Sequence, residues 1–320
     1  MRRLPFAAMS DSSDPELDAA IAAVAEWEGL EATITPITAG ITNRNFRIDV
    51  GGEAFVLRLA GKDTGLLGID REAENEAGRA AASAGVGPEV FAWLPEHTCL
   101  ITRFVPGASI PEEDLQREDV LSSVVGSVRA FHACPRIRSR FPVFRIVEDY
   151  RKLASDRGVA IPAAYDQVHS LASRIEDTFD QAPMPLTTCH NDLLNANFLL
   201  DGDHTWIVDY EYAGMGDLFF DLGNLSINNG LLPDAQEILL GLYFGYVDDV
   251  HRARLSLMRV MSDFREAMWG VLQQALSTLD VDYVGYADRH FARCLATAGD
   301  DRFEDWLDAA RTQVSLPTDT

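Results

Sequence analysis

The chain has 320 residues, of which 47% are apolar and 24% charged, the profile of a soluble globular protein long enough for two domains. Its net charge of −23 argues against DNA or RNA as a partner, because contacts with phosphates need a basic surface, and it favours a cationic small molecule. No apolar run approaches the roughly 20 residues that a membrane-spanning helix needs, and the apolar stretch behind the N-terminal arginines is too short for a signal peptide. We therefore expect a cytoplasmic protein without membrane insertion.

The four cysteines are scattered along the chain, and no two of them have the spacing of a metal site: Cys99, Cys134, Cys189 and Cys294. We interpret them as free thiols, which agrees with a reducing compartment.

The N-terminal third predicts a sheet with one inserted helix. Asp14 and Pro15 begin an opening helix over about residues 14–29, with Asp14 as its cap. Gly51-Gly52 has hairpin spacing between the second and third strands, and an alanine-rich helix begins at Asp70. The five predicted strands are 33–38, 44–50, 53–59, 89–94 and 99–105, and the inserted helix is 70–84.

Beyond about residue 108 the hydrophobic period is almost entirely helical, apart from two short strands at 197–200 and 205–209. This order predicts an α+β fold with two lobes, an antiparallel sheet with one helix at residues 1–105 and a mainly helical lobe at 106–320. Because ligand sites usually form in clefts between lobes, we expect the site near the connection at 104–108.

The segment HNDLLNANFLLDGDHTWIVDYEY, residues 190–212, carries the strongest chemical signal. Asp192 precedes Asn197 by one short loop, and Asp209 follows a turn and a buried-strand pattern, where an unpaired carboxylate would be costly. Phosphoryl transfer needs a group that positions the attacking hydroxyl, oxygen ligands for Mg²⁺ and cations around the phosphates. Asp and Asn are also common turn residues, but together these three supply the first two parts in the order that kinases use.

This segment and the following FFDLGN resemble the signature of the aminoglycoside phosphotransferase and choline kinase superfamily, whose fold is protein-kinase-like, and DYEYAG is similar to its choline/ethanolamine kinase branch. The resemblance implies that Asp192 is the catalytic base and that Asn197 and Asp209 hold Mg²⁺. It also implies that His190 and Asp221 brace the catalytic loop. A strand-end histidine and a helix N-cap are the plainer alternatives for these two residues.

The N-terminal part is similar to the same family. AGITNRNFRID resembles the nucleotide-covering turn, so Gly40, Thr42 and Asn43 are expected at the phosphates of ATP. Arg58, on the third strand, stands where choline kinases carry an arginine and protein kinases a lysine; an exposed strand arginine is the alternative. The helix carboxylate expected to pair with it is Glu74.

In choline kinases, aromatic side chains form a cage for a quaternary ammonium through cation–π attraction. Trp269 matches the first tryptophan of that cage and Tyr212 its tyrosine. Leu272 stands where a second tryptophan is expected, which is a departure from the family pattern. Tyr283 and Tyr286 lie at helical spacing and are more typical of a packed core.

The resemblance therefore implies an enzyme that uses ATP and Mg²⁺ to phosphorylate a small amino alcohol, choline or ethanolamine first. A kinase of another hydroxyl compound, such as an aminoglycoside, thiamine or a sugar, is the alternative on the same fold. A nucleotide-binding regulator without turnover is the alternative of another class. A P-loop kinase is excluded, because no G-x-x-x-x-G-K-[ST] occurs.

Overall fold

In the N-terminal part, alternating apolar residues form one antiparallel sheet. The computed structural model describes residues 14–37, 43–61 and 64–314. The sheet has the order β1-β2-β3-β5-β4, and its strands are β1 (Ala32–Ile37), β2 (Arg44–Val50), β3 (Glu53–Leu59), β4 (Val90–Leu94) and β5 (Cys99–Arg103). The hairpin between β2 and β3 turns at Gly51 and Gly52, whose φ angles of 61° and 85° favour glycine.

Two helices accompany this sheet, α1 (Pro15–Ala22) and α2 (Arg71–Ser83). Asp14 caps α1 by accepting from the Leu17 N–H, and Asp70 caps α2 in the same way. The opening helix ends seven residues earlier than predicted, at Ala22 rather than at residue 29. The chain bends there so that Trp27 can pack on Phe55 and Phe91, with ring centroids 5.3 and 5.8 Å away. Burial of a large aromatic side chain outweighs continued helix propensity at this point.

The remainder of the described chain is mainly helical. Its helices are α3 (Glu118–His132), α4 (Val143–Asp156), α5 (Ala164–Gln181), α6 (Leu218–Asn228), α7 (Pro233–Phe244), α8 (Asp249–Leu276), α9 (Tyr283–Ala298) and α10 (Phe303–Ala310). Helix α8 is the centre of this part, because it packs against α4, α6, α9 and α10. Gly223 allows α6 to lie close to α8, since a Cβ there would lie 2.8 Å from the backbone carbonyl carbon of Met258.

Five short strands lie within this helical part. The predicted pair is present as β8 (Phe198–Asp201) and β9 (His204–Ile207), and three more strands, β6 (Ala108–Ser109), β7 (Thr187–Cys189) and β10 (Gly214–Gly216), have no alternating pattern that sequence reasoning could detect. The expected α+β arrangement, an antiparallel sheet followed by a helical part, is confirmed. The lobe boundary at 105/106 stays a prediction. In the described part of the chain no helix is both long and apolar enough to cross a membrane.

Candidate active site

A cavity of about 650 Å³ lies between the sheet and the helical part. Strands β3 and β5 supply one wall, the segments 192–199 and 208–212 supply the floor, and α8 closes one end. The predicted site residues that line it are Arg58, Glu74, Asp192, Asn197, Asp209, Tyr212 and Trp269. Residues from both lobes therefore meet in one place, although they are up to about 200 positions apart in the chain.

The loop that carries Asp192 is held by the buried carboxylate of Asp221. That carboxylate accepts from the backbone N–H groups of His190 at 2.7 Å and Asn191 at 2.6 Å, and it lies 2.9 Å from Nε2 of His132. Asn191 has a φ of 66°, so the loop turns sharply just before Asp192. His190 is fully buried, with Nε2 3.0 Å from the carbonyl oxygen of Val208.

Asp221 lies within α6 and is not its cap, since the cap is Asp217, which accepts from the Phe219 N–H at 2.8 Å. The N-cap interpretation of Asp221 is therefore excluded. Its three hydrogen-bonding contacts join the start of the loop to two helices, α3 and α6.

The carboxylate of Asp192 lies in a crowded electrostatic environment. Burial raises its pKa to about 8, with Arg265 opposing the rise and Glu266 and Asp209 adding to it. Nη1 of Arg265 is 3.5 Å from Oδ1 of Asp192. The position of Asp192 at the cavity wall allows it to approach a hydroxyl group that enters the cavity.

Asn197 and Asp209 offer oxygen atoms beside Asp192. The amide nitrogen of Asn197 donates to the backbone carbonyl of Asp192 at 2.8 Å, which leaves its side-chain oxygen as the ligand atom on offer. Asp209, two residues after the end of β9, has a φ of 69°, a left-handed conformation, and its Oδ1 accepts from Arg58 at 2.7 Å. The expected partner of Arg58 is also present, because the same Nη1 donates to Glu74 at 2.5 Å.

Asn43 is the described member of the predicted nucleotide-covering turn; Gly40 and Thr42 lie outside the described residues. Both polar atoms of its side chain bind protein groups. The amide nitrogen donates to Glu211 at 2.8 Å, and the amide oxygen accepts from Arg71 at 2.9 Å. Asn43 therefore links the sheet to the segment after Asp209, a contact that the prediction of phosphate binding did not foresee.

Glu211 was missed by sequence reasoning, although its position two residues after Asp209 was a usable signal. It lines the cavity and is 6% exposed. Burial raises its pKa to about 7, Asp209 adds to the rise, and Arg58 and Arg71 oppose it. Its carboxylate is a further oxygen ligand for a metal ion that binds beside the phosphates.

The far end of the cavity is built by Tyr212 and α8. The indole N–H of Trp269 donates to the hydroxyl of Tyr212 at 3.1 Å, and the Arg265 guanidinium lies over the Tyr212 ring, 4.2 Å from its centroid. Arg265 also contacts Glu266 at 2.6 Å, and Glu266 accepts from the Tyr286 hydroxyl at 2.7 Å. One ring face of Tyr212 is thus covered by a cation of the protein itself.

Sequence reasoning missed Arg265, Glu266 and the contribution of Tyr286 to this end of the cavity. The available sequence signal was a pair of adjacent charges between two apolar residues, Phe264 and Ala267. The structure shows that both of these neighbours are fully buried. Tyr286 lines the cavity, whereas Tyr283 packs behind Trp269 with ring centroids 6.0 Å apart. Leu272 is fully buried in the core.

Among the described residues, one cluster other than the cavity brings metal-ligand types together: His132, Cys189 and Asp221. Both oxygens of Asp221 already accept from the loop, and burial raises the pKa of the Cys189 thiol well above its ordinary value. A protonated thiol is a poor metal ligand. This cluster therefore supports the loop.

An antiparallel sheet, a mainly helical part and a cavity between them with carboxylates on a bent loop define a kinase-like phosphotransferase. Residues 33–255 match the model of the phosphotransferase enzyme family. A solved structure described as a choline/ethanolamine kinase family protein from Mesorhizobium loti is 33% identical, with a TM-score of 0.81, and the match covers 92% of this chain and 98% of that one. The chain belongs to the choline/ethanolamine kinase family of phosphotransferases and is an enzyme.

One more distant solved structure has the same fold, and two further relatives match in sequence. Choline kinase LicA from Streptococcus pneumoniae is 16% identical, with a TM-score of 0.74 over 88% of this chain and 98% of that one. Protein LicA of Haemophilus influenzae is 27% identical over 68% of this chain, and the match spans only 65% of LicA. Ethanolamine kinase 1 of Mus musculus is 23% identical over 82% of each chain.

Proposed function

We propose that this enzyme transfers the γ-phosphoryl group of ATP to the hydroxyl of a small amino alcohol, choline or ethanolamine, with Mg²⁺ as cofactor. The observation that carries the proposal is the meeting of Asp192, Asn197 and Asp209 with the aromatic residues Tyr212 and Trp269 around one cavity. The first three suit phosphoryl transfer, and the last two suit a cationic acceptor.

Asp192 would orient the acceptor hydroxyl and take its proton as the oxygen attacks phosphorus. The carboxylate lines the cavity, and its loop is fixed by Asp221, so little reorganisation is needed when the acceptor arrives. Arg265, 3.5 Å away, would favour the ionised form of Asp192 that can accept the proton.

Asn197 and Asp209 fit Mg²⁺, because they offer the hard oxygen donors that this ion prefers. The amide nitrogen of Asn197 is engaged with Asp192, so its oxygen is available, and Asp209 has one oxygen beyond the one that contacts Arg58. Asn197 and Asp209 would hold this ion beside the phosphates, where it would supply positive charge to offset the negative charge of the transferring group. Arg58, held by Glu74, would contact a phosphate from the sheet side.

The adenine would lie against the connection after β5. The N–H groups of Arg103 and Phe104 already donate to the carbonyls of Glu89 at 2.8 Å and Ala54 at 2.9 Å. The next N–H along the chain belongs to Val105, which lines the cavity, and we expect adenine to accept from it. Apolar side chains such as Val56 and Val208 line the cavity as well and could pack on the faces of the base.

Two alternatives remain testable against this proposal. A kinase of aminoglycosides, thiamine or sugars would use the same catalytic residues with another acceptor end; the aromatic residues Tyr212, Trp269 and Tyr286 at this end favour an amino alcohol over an aminoglycoside. A regulator without turnover is disfavoured by the presence of all three residues Asp192, Asn197 and Asp209.

The test is an ADP-coupled assay of the purified protein with ATP and Mg²⁺ and a panel of choline, ethanolamine, thiamine and aminoglycosides. The expected result is turnover with an amino alcohol that is lower by about 10²-fold or more in the Asp192→Asn variant and absent without Mg²⁺. Turnover only with another panel member would replace the acceptor class. ATP binding without turnover on any acceptor would leave the regulator as the better description.

A further inference from the structure

Arg265 is a cation enclosed within the acceptor end of the cavity. Only 2% of its side chain is exposed, and its guanidinium carbon lies 4.2 Å from the centroid of the Tyr212 ring. At this distance the ring and the guanidinium attract each other through a cation–π interaction. The face of the Tyr212 ring that lies against Arg265 is therefore not available to a substrate cation.

The neighbouring residue, Glu266, presents a charged carboxylate to the same end of the cavity. It is 4% exposed, and one oxygen contacts Arg265 at 2.6 Å while the other accepts from Tyr286 at 2.7 Å. Burial alone would raise the pKa of Glu266, but Arg265 and the Tyr286 hydrogen bond lower it below its ordinary value. Since a carboxylate has about four acceptor positions, these two contacts leave Glu266 able to accept further hydrogen bonds.

The aromatic surface left for a head group is small. Trp269 and Tyr286 line the cavity with their rings 5.7 Å apart at 63°, whereas Leu272 is fully buried and presents no ring. Two aromatic side chains beside a carboxylate favour an ammonium that can both contact rings and donate hydrogen bonds. A quaternary ammonium has no N–H to donate, so it could use only the rings and the long-range charge.

Resting on the proposed function, we propose that Glu266 selects acceptors whose ammonium bears N–H groups, so that ethanolamine-type alcohols are preferred over quaternary ones. Arg265 covers one face of the Tyr212 ring and Leu272 presents no ring, so the aromatic surface left for a quaternary ammonium is reduced. The head group donates to the carboxylate of Glu266 and lies against Trp269 and Tyr286.

The experiment uses the purified full chain with ATP, Mg²⁺ and four acceptors: ethanolamine, N-methylethanolamine, N,N-dimethylethanolamine and choline. A hydrogen bond to a charged group corresponds to about 10- to 100-fold in affinity, so kcat/KM for ethanolamine should exceed that for choline by about that factor. The largest single fall in kcat/KM should come between N,N-dimethylethanolamine and choline, because the last methyl group removes the last N–H. A choline value equal to or above that of ethanolamine overturns the inference and leaves the proposed function standing. No turnover on any of the four overturns both.

Two variants locate the preference. Glu266→Gln removes the charge and should bring the ethanolamine-to-choline ratio close to one, mainly by lowering kcat/KM for ethanolamine. Tyr286→Phe removes the hydroxyl that orients Glu266 and should lower the ratio in the same direction by a smaller factor. Glu266→Gln leaves Arg265 with one partner fewer. If that variant fails to fold, Tyr286→Phe still tests whether Glu266 sets the ethanolamine-to-choline ratio.

The matched control is Tyr283→Phe. Tyr283 packs behind Trp269 and its hydroxyl contacts Ser277 at 2.8 Å, so the ratio should stay at the parent value. A ratio that stays at the parent value in both Glu266→Gln and Tyr286→Phe, or that changes as much in Tyr283→Phe, overturns the role of Glu266.

Discussion

Replacing Asp221 by asparagine removes the charge that holds the start of the catalytic loop. Asp221 is fully buried and accepts from the backbone N–H groups of His190 at 2.7 Å and Asn191 at 2.6 Å, beside Nε2 of His132 at 2.9 Å. Asparagine keeps the shape but replaces one accepting oxygen by an NH₂ group that faces a donor. At least one backbone N–H is then buried without a partner.

The magnitude follows from these contacts. A hydrogen bond to a charged group contributes about 1.5–3 kcal/mol, and a buried donor left without a partner costs about 1–3 kcal/mol. We therefore expect Asp221→Asn to lower the free energy of unfolding by roughly 3–5 kcal/mol, which is large against a typical total of about 5–15 kcal/mol. Turnover should fall as well, because the loop that carries Asp192 loses its fixed position.

The assay is equilibrium unfolding in urea, followed by circular dichroism, with Asp217→Asn as the matched control. Asp217 lies one helical turn before Asp221 and caps α6 through a single bond from the Phe219 N–H at 2.8 Å. Because asparagine is as good an N-cap as aspartate, the control should stay within about 0.5 kcal/mol of the parent. A loss in Asp221→Asn no larger than in the control would refute the reasoning.

Further variants test the remaining site assignments. Asp192→Asn should leave ATP binding nearly unchanged and lower turnover by about 10²-fold or more in steady-state kinetics; parent-like turnover would remove Asp192 from the mechanism. Asp209→Ala should abolish the Mg²⁺ dependence of ATP binding in calorimetric titrations, and equal dependence in variant and parent would contradict the metal assignment. Trp269→Ala should raise KM for the amino alcohol about thirtyfold without changing KM for ATP, whereas a large fall in Tm with an unaltered KM would identify a core residue. Burial raises the pKa of the Cys99 thiol to about 12, whereas an unfolded thiol ionises near 8.5. The stability that the buried neutral thiol contributes is therefore present below about pH 8.5 and is lost as the pH rises towards 12. Cys99→Ala should make the free energy of unfolding in urea less dependent on pH between about 8.5 and 10.5, and an unchanged dependence would contradict this assignment.

The sequence by itself determined those features that depend on neighbours along the chain. The strands 44–50 and 53–59 have their predicted limits, and the caps at Asp14 and Asp70 are where the pattern placed them. Hairpin turns and helix caps depend on φ angles and hydrogen bonds within a few residues, so residue type is sufficient to predict them. The family motif also indicated Asp192, Asn197 and Asp209, and the variants above test the roles of Asp192 and Asp209.

Tertiary structure alone decided which side chains share the cavity and what each one contacts. Arg58 and Asp209 are 151 positions apart, and Asn43 and Glu211 are 168 positions apart, so no local pattern links them. Periodicity places Arg265 and Glu266 on α8 but does not say that one covers Tyr212 while the other faces the cavity. These contacts depend on how α8, the loop at Asp192 and the sheet pack together, since a buried charge is tolerated only where distant segments bring it a partner.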